Sequence, residues 1–230
     1  MKTFKKLLPI LGISFLLLSY SEVGNGQKEL VDYVNPYMGN ISHLLVPTFP
    51  TINLPNSILR VYPERGDYTT PIIKGLPLVI TSHRGSSAFN LSPFQGDAKD
   101  IKPVIDYSYD LEKITPCSYS VYLDEQKIDV RFAVSHQSAL YELSFNEKKP
   151  ISLIINSRNG EMKWDGNAIS GYQNLDSRTK VYIYLEPDVK PSETGALKEG
   201  SIVKGDLNAV GRNACIVLSY NEKNPVVHIR

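Results

Sequence analysis

The chain has 230 residues, with 25 Lys and Arg against 24 Asp and Glu, so its formal net charge is +1. This balance excludes the strongly basic surface that nucleic-acid binding requires. The length fits one large domain, and the 14 tyrosines and 7 phenylalanines agree with a β-rich fold.

The N-terminus has the three parts of a secretory signal peptide. Three lysines within the first six residues precede an apolar run, Leu7–Leu18, and small or polar residues follow as far as Gly26. A run of about a dozen residues is shorter than the roughly 20 that span a bilayer, so a membrane anchor is the weaker alternative. We predict a signal peptide over 1–26, a mature chain over 27–230 without a transmembrane anchor, and export to the periplasm or the extracellular space.

The segment Val31–Asp97 contains more than half of the chain's 15 prolines, with many aromatic and hydroxyl side chains and few charges. Because proline fixes the backbone and lacks an N–H donor, we expect this segment to form neither regular helix nor central strand. It is too apolar for a disordered linker. Long, ordered, irregular segments are usually functional, so we expect the functional residues here.

After Cys117 the sequence alternates apolar and polar residues in short runs separated by turn residues. This pattern is typical of an antiparallel sandwich or barrel, and no helical period is sustained after the signal peptide. The predicted strands are Tyr119–Leu123, Ile128–Ser135, Ala139–Phe145, Ile151–Ile155, Ala168–Gln173, Lys180–Glu186, Ser201–Lys204, Ala214–Tyr220 and Val226–Ile229. The prediction for 27–230 is an all-β, antiparallel β-sandwich with a long irregular Pro-rich N-terminal segment.

Three local features leave alternatives open. Trp164 follows a predicted turn, SRNGE, and fits either a sugar-stacking platform or a plug in the sandwich. Export permits a disulfide between Cys117 and Cys215, but a domain of this size forms a core without one, so we favour two buried free thiols on separate strands. The chain ends in an apolar strand, which either pairs inward or, as we favour, belongs to the front part of a longer protein.

The order of motifs resembles the N-terminal domain of glycoside hydrolase family 92, the calcium-dependent exo-α-mannosidases of bacteria. The matching segments are Asp32–Pro36 with Met38-Gly39, the Pro/Phe-rich stretch His43–Pro55, the pair Ser82-His83, Leu91-Ser92 leading to Gly96-Asp97, and the block Tyr119–Phe145. Two departures indicate a divergent subgroup. NISHLLVPTFPTINLPNS lacks the family's glycine-rich, histidine-containing loop, and RGSSAFN replaces a second histidine.

The resemblance implies a two-part enzyme with its active site between an N-terminal β-sandwich and a larger C-terminal helical toroid. In the family, the general acid, the general base and most calcium ligands belong to the helical part. The resemblance therefore places no catalytic residue and no metal ligand on this chain, and we expect the chain alone to be inactive. Its implied partners are a C-terminal helical catalytic domain and mannose-containing glycans, with calcium in the full-length enzyme.

The residues themselves favour sugar recognition over catalysis. Glu64 and Asp67 flank Arg65-Gly66 and resemble a solvated turn rather than a catalytic pair; Asp97, Asp100 and Asp106 are the other nearby carboxylates. Aromatic rings that could stack on a sugar are Phe49, Tyr62, Phe89 and Phe94, and polar groups that could meet its hydroxyls include Asn53, Asn56 and Gln95. The predicted substrate-binding residues are His83, Arg84, Ser86, Ser87, Phe89, Asn90 and Phe94.

Each of these residues also has a purely structural interpretation. Any one of the rings could be core packing, and His83 could be a hydrogen-bonded structural histidine. Two other functions also fit the sequence: a stand-alone carbohydrate-binding module of the same ancestry, and a structural sandwich in an exported assembly whose irregular segment binds protein.

Overall fold

The computed structural model describes residues 28–39, 50–65, 70–81, 87–221 and 225–230, and these residues form an almost entirely β structure. The strands are β1 Ile72–Lys74, β2 Leu76–Ile80, β3 Ser87–Gln95, β4 Asp106–Ile114, β5 Ser118–Leu123, β6 Ile128–Val134, β7 Ala139–Phe145, β8 Ile151–Trp164, β9 Ile169–Asn174, β10 Lys180–Leu185, β11 Glu193–Lys198, β12 Ser201–Lys204, β13 Asn208–Tyr220 and β14 Val226–Ile229. Two short 3₁₀ helices, Leu30–Tyr33 and Ala98–Asp100, complete the described elements. The all-β prediction is confirmed.

The strands form two antiparallel sheets that pack as a sandwich. The six-stranded sheet has the order β1-β4-β5-β6-β7-β14. The eight-stranded sheet has the order β10-β9-β8-β13-β11-β12, with β3 also paired to β8 and β2 to β3. Strand β8 is 14 residues long, so it pairs β13 along one edge while its other edge pairs β3 first and β9 afterwards.

Alternating burial directs one face of the six-stranded sheet into the core. Every second residue of β5 and β6 is buried, as the sequence pattern predicts. Across neighbouring strands, the rings of Tyr119 and Phe132 stack with centroids 4.9 Å apart, and the Tyr141 ring lies tilted against Phe132 at 5.0 Å. The Tyr141 hydroxyl donates to the Pro77 carbonyl of the other sheet at 2.9 Å. Burial raises the pKa of Tyr141, so this phenol stays a neutral donor.

The Pro-rich segment is more regular than predicted, because it contributes β1, β2 and the central strand β3. All nine residues of β3 are buried. Pro93 lies in β3 opposite Leu153 of β8, but β2 pairs with β3 only over Ser87–Leu91. At Pro93 the strand has one neighbour, and a residue without an N–H is tolerated at such an edge. The expectation that no central strand forms here is therefore wrong.

The predicted SRNGE turn is also wrong, because β8 continues through it to Trp164. Gly160 permits this continuation: a Cβ there would lie 1.9 Å from the Tyr172 carbonyl oxygen of β9. Trp164 is buried at the end of β8, which agrees with the plug rather than the exposed platform. Strands β4 and β11 were not predicted. The nine strands predicted after Cys117 are all present, most with shifted ends.

The two cysteines are unpaired in this structure. Cys215 is buried in β13, and burial raises the pKa of its thiol. Cys117 is exposed just before β5, so the expectation that both thiols are buried is wrong for this residue. The chain's last strand, β14, pairs inward with β7. Within the described ranges, no helix is long and apolar enough to cross a bilayer. The predicted signal peptide lies outside the described residues.

Candidate functional site

The predicted sugar-binding residues fall on β3 and on the segment just before it. Ser87, Phe89, Asn90 and Phe94 all lie in β3 and are buried. His83, Arg84 and Ser86 lie outside the described residues, in the connection between β2 and β3. Ser87, the first residue of β3, is the described residue that directly follows this connection. We therefore use the contacts of Ser87 to define the candidate site.

Ser87 joins a polar cluster that connects three distant parts of the chain. Its hydroxyl donates to Glu64 Oε2 at 2.7 Å and accepts from Arg158 Nη2 at 3.3 Å, while Glu64 and Arg158 form an ion pair. The side-chain oxygen of Gln173 accepts from the backbone N–H of Phe89 and of Arg158, both at 3.0 Å. The cluster fixes the first residues of β3 against β8 and β9.

Beside this cluster lies a charged cleft of about 490 Å³. Its lining side chains are Glu64, Lys74, Val104, Arg158, Arg212 and Asn213. Three cations and one carboxylate make it a concentration of charged groups, and the ion pair with Glu64 holds one of the donors, Arg158. Glu64 is mostly buried and ion-paired, so the expectation of a solvated turn is wrong for this residue. Asp67 lies outside the described residues.

A second, buried ion pair holds the N-terminal segments on the six-stranded sheet. The side chains of Arg65 and Glu112 are 7% and 12% exposed and form a salt bridge. Glu112 also accepts from the hydroxyls of Tyr119 at 2.9 Å and Tyr37 at 3.1 Å. The guanidinium of Arg65 lies 4.9 Å from the Tyr109 ring centroid. Burial raises the pKa of Tyr119 well above its usual value, although Arg65 acts in the opposite direction.

The other predicted residues have different positions relative to the cleft. Asn90 Nδ2 donates to the carbonyl of Lys74, a cleft residue, at 3.0 Å, and Asn90 Oδ1 accepts from Ser92 at 2.9 Å. Phe89 and Phe94 pack in the hydrophobic core. Tyr62 and Gln95 are buried as well, whereas Phe49 lies outside the described residues. The structure thus brings Ser87 and Asn90, both buried, into contact with residues that line the cleft, while the side chains of Phe89 and Phe94 face other core residues.

Sequence reasoning missed five of the residues that line this cleft: Lys74, Val104, Arg158, Arg212 and Asn213. Arg158 lies within the stretch predicted as a turn, and Arg212 precedes the predicted start of its strand. Arg158 is 94 residues from its partner Glu64 along the chain. No local pattern signals such a pair, because Glu64 precedes β1 and Arg158 lies in β8, so only the packing of the whole domain brings the two residues together.

A separate cleft of about 480 Å³ lies where β14 meets the segment after β10. There His228 Nδ1 lies 2.6 Å from Asp188 Oδ2, and its Nε2 lies 3.6 Å from Glu142 Oε2. The hydrogen bond to Asp188 raises the pKa of His228 above its usual value. Backbone hydrogen bonds between Glu186 and Arg230 run alongside, so this contact fastens the segment after β10 to β14.

The His228 contact predicts a pH-dependent contribution to stability. A folded-state pKa above the unfolded value means that the protonated imidazole contributes stability fully below about pH 6.5, and this contribution is lost as pH rises through the folded pKa. The variant His228→Gln should therefore lose more unfolding free energy, relative to wild type, at about pH 5.5 than at about pH 8.5. Urea unfolding at both pH values measures it, and a difference independent of pH would contradict it.

Comparison with known proteins identifies the family of this chain. The model of the glycosyl hydrolase family 92 N-terminal domain matches residues 33–230. No curated protein matches the chain. Among solved structures, the chain resembles the family GH92 inverting mannosidase BT2199 from Bacteroides thetaiotaomicron, with a TM-score of 0.74 and 20% identity over 89% of this chain and 32% of that one.

Two further structures have the same fold. The family GH92 α-mannosidase BT3965 from Bacteroides thetaiotaomicron gives a TM-score of 0.73 at 17% identity, covering 88% of this chain and 32% of that one. The gh92 family glycosyl hydrolase ccman5 gives 0.65 at 12% identity, covering 86% and 32%. The chain thus spans about a third of the length of these structures. The resemblance inferred from the motifs is confirmed: the chain belongs to the glycosyl hydrolase family 92 N-terminal domain family.

Proposed function

We propose that this chain is the sandwich part of an exported α-mannosidase-like glycoside hydrolase, in which it contributes carbohydrate contacts and docks a helical catalytic domain. The observation that carries the proposal is the charged cleft beside Ser87 in a domain of this family. The solved relatives are about three times as long as the matched part, which supports a missing catalytic portion. The substrates of the full enzyme would be mannose-containing glycans.

The cleft supports the proposed carbohydrate contacts through its charged groups. Lys74, Arg158 and Arg212 offer donors, Glu64 offers an acceptor, and the Glu64–Arg158 ion pair holds two of them in place. Sugar hydroxyls are recognised by a few polar groups that keep a fixed orientation. The connection carrying His83, Arg84 and Ser86 ends at Ser87, within this cluster. We therefore keep these three residues in the proposed site.

The N-terminal segment 28–39 supports the proposed docking role. Leu30, Tyr33, Val34 and Met38 are all exposed there, although they are apolar or aromatic. The hydrogen bond from Tyr37 to Glu112 ties the segment to β4. Contiguous exposed apolar side chains are typical of an interaction surface. We propose that the helical catalytic domain covers this segment.

Neither carboxylate near the N-terminal segments is proposed as a catalytic acid or base. Glu64 and Glu112 are each ion-paired with an arginine, and Glu112 also accepts two tyrosine hydroxyls. We assign both carboxylates a structural role. In the described ranges, no three His, Cys, Asp or Glu side chains are arranged to hold a metal ion. We therefore derive no step through calcium here, and calcium in the full-length enzyme stays a prediction of the family.

The proposal predicts that hydrolysis requires sequence beyond this chain. The DNA downstream of the codon for Arg230 should encode a long helical domain. Purified 27–230 should release no mannose from α-mannobiose, whereas the protein including that domain should release it. In the longer protein, Arg158→Ala should lower activity at least tenfold, because it removes a cleft donor and the partner of Glu64.

Arg131→Ala is the matched control for Arg158→Ala, because Arg131 forms an exposed ion pair with Glu142 on the other sheet. We expect it to leave activity unchanged. A stop codon after Arg230 in the natural gene, or mannose release by 27–230 alone, would overturn the proposal. Equal losses of activity in the two arginine variants would contradict the proposal that the cleft contacts carbohydrate.

A further inference from the structure

The outward face of β9 and β10 carries three tyrosines that contribute nothing to the core, and we call Tyr172, Tyr182 and Tyr184 the tyrosine face. Tyr182 and Tyr184 are 71% and 59% exposed. Tyr172 and Tyr182 are cross-strand partners, with ring centroids 6.1 Å apart and planes at 52°. The Lys180 ammonium lies 4.0 Å from the Tyr172 ring centroid. Three large rings on one outward face call for a binding role, because exposed aromatic clusters are uncommon on a free surface.

Polar side chains adjoin these rings across neighbouring strands. Strand register pairs Tyr172 with Glu161 of β8, and it pairs Ser170, the partner of Tyr184, with Lys163. Residues in register share one face of a sheet. Tyr172 and Tyr182 line a shallow cleft of about 300 Å³ together with Glu161, Lys163 and Ser170. The face therefore combines flat rings with hydroxyl, carboxylate and ammonium groups.

The tyrosine face is linked to the charged cleft through β13. Val210 of β13 pairs with Glu161, and Arg212, two residues further along, lines the charged cleft. Val210 and Arg212 are both exposed. A ligand that begins in the charged cleft could thus extend over β13 and β8 onto the rings without leaving the outer surface of one sheet.

We propose that the tyrosine face is a second carbohydrate-binding surface, on which Tyr182 and Tyr184 stack against the sugar rings of a neutral glycan. Rings stack on the apolar faces of a sugar, while Glu161, Lys163 and Ser170 meet its hydroxyls. A protein partner fits less well, because Lys and Glu are depleted from the centres of protein interfaces, whereas Glu161 and Lys163 lie beside the rings. The inference rests on the proposed role in glycan processing.

Affinity electrophoresis of the chain in gels containing yeast α-mannan tests this proposal. Mannan should retard the wild-type chain, and Tyr182→Ala/Tyr184→Ala should weaken its apparent affinity about tenfold, because both stacking rings are lost. Tyr182→Phe/Tyr184→Phe keeps the rings and should keep most of the affinity. Tyr122→Ala, on the six-stranded sheet, is the matched control and should bind as wild type does. Circular dichroism checks that each variant is folded.

The outcomes separate this inference from the proposed function. Arg158→Ala removes a donor of the charged cleft and keeps the rings, so it should weaken the retardation by mannan less than the tyrosine-to-alanine variant does. Retardation that is lost in Arg158→Ala but kept in the tyrosine-to-alanine variant would overturn the tyrosine face and leave the charged cleft supported. A wild-type chain that mannan does not retard would overturn the tyrosine face, while activity of the longer protein still decides the proposed function. Concentration-dependent self-association that the tyrosine-to-alanine variant abolishes would also overturn it.

Discussion

Glu112→Gln is expected to lower the unfolding free energy by about 3–5 kcal/mol, because it leaves the buried guanidinium of Arg65 without a counter-charge. The substitution keeps the shape of the side chain, so the loss reports charge rather than a cavity. It also weakens the acceptor for the hydroxyls of Tyr119 and Tyr37. Urea unfolding followed by tyrosine fluorescence measures the change. The N-terminal segment 28–39, which the hydrogen bond from Tyr37 to Glu112 ties to β4, should become more accessible to protease in this variant.

The matched control is Glu193→Gln, which breaks an exposed ion pair with Lys204. Exposed pairs contribute about 0–1 kcal/mol, so the control should be close to wild type. The double variant Arg65→Met/Glu112→Gln should recover part of the loss, because no buried charge is then left unpaired. Similar losses in Glu112→Gln and in the control would contradict a buried role for the Arg65–Glu112 pair.

Gly160→Ala is expected to destabilise the domain by about 3 kcal/mol, the upper end for an overpacked interior. The added Cβ would lie 1.9 Å from the Tyr172 carbonyl oxygen and 2.8 Å from its carbon, so β8 and β9 would have to separate. Their separation would also displace Gln173, which accepts from the backbone of Phe89 and Arg158. Thermal unfolding measures the loss of stability, and amide hydrogen exchange in β9 locates it.

Gly166→Ala is the control for this substitution. Among the described residues beyond its two chain neighbours, none has an atom within 4 Å of a Cβ at that position, although its φ of +100° makes alanine strained there. We expect a clearly smaller loss of stability and no change in exchange at β9. If both variants lost the same stability, the close approach of β8 and β9 at Gly160 would not be the cause.

The hairpins of the six-stranded sheet could be predicted because the pattern that identifies them lies within each short segment of sequence. In β5, β6 and β7 one face is buried and the other faces solvent, so hydrophobicity alternates residue by residue. Strand β3 and the first seven residues of β8 are buried on both faces, so no alternation marks them. Proline in β3 and glycine in β8 then suggested interruptions of the strands. In the structure, Pro93 is paired within β3, and Gly160 is required in β8 because a Cβ there would collide with β9.

The candidate site was predictable only in part, for a related reason. Ser87 and Asn90 were predicted from a polar, aromatic stretch, and both contact residues of the charged cleft. Phe89 and Phe94 belong to the same stretch but pack in the core, because a central strand directs its residues to two buried faces. Arg158 and Arg212 escaped prediction, because the polar stretch around Arg158 was interpreted as a turn and Arg212 precedes the predicted start of its strand.

The sequence by itself determined the class of fold, the family and the positions of the strands with one solvent face, because period-two alternation and short ordered motifs are written along the chain. Only the tertiary structure decided which charges meet. Glu64 is 23 residues from Ser87 and 94 residues from Arg158, yet the three share hydrogen bonds. Such contacts depend on which strands become neighbours in the two sheets, and strand order is a property of the whole packed core rather than of any local segment.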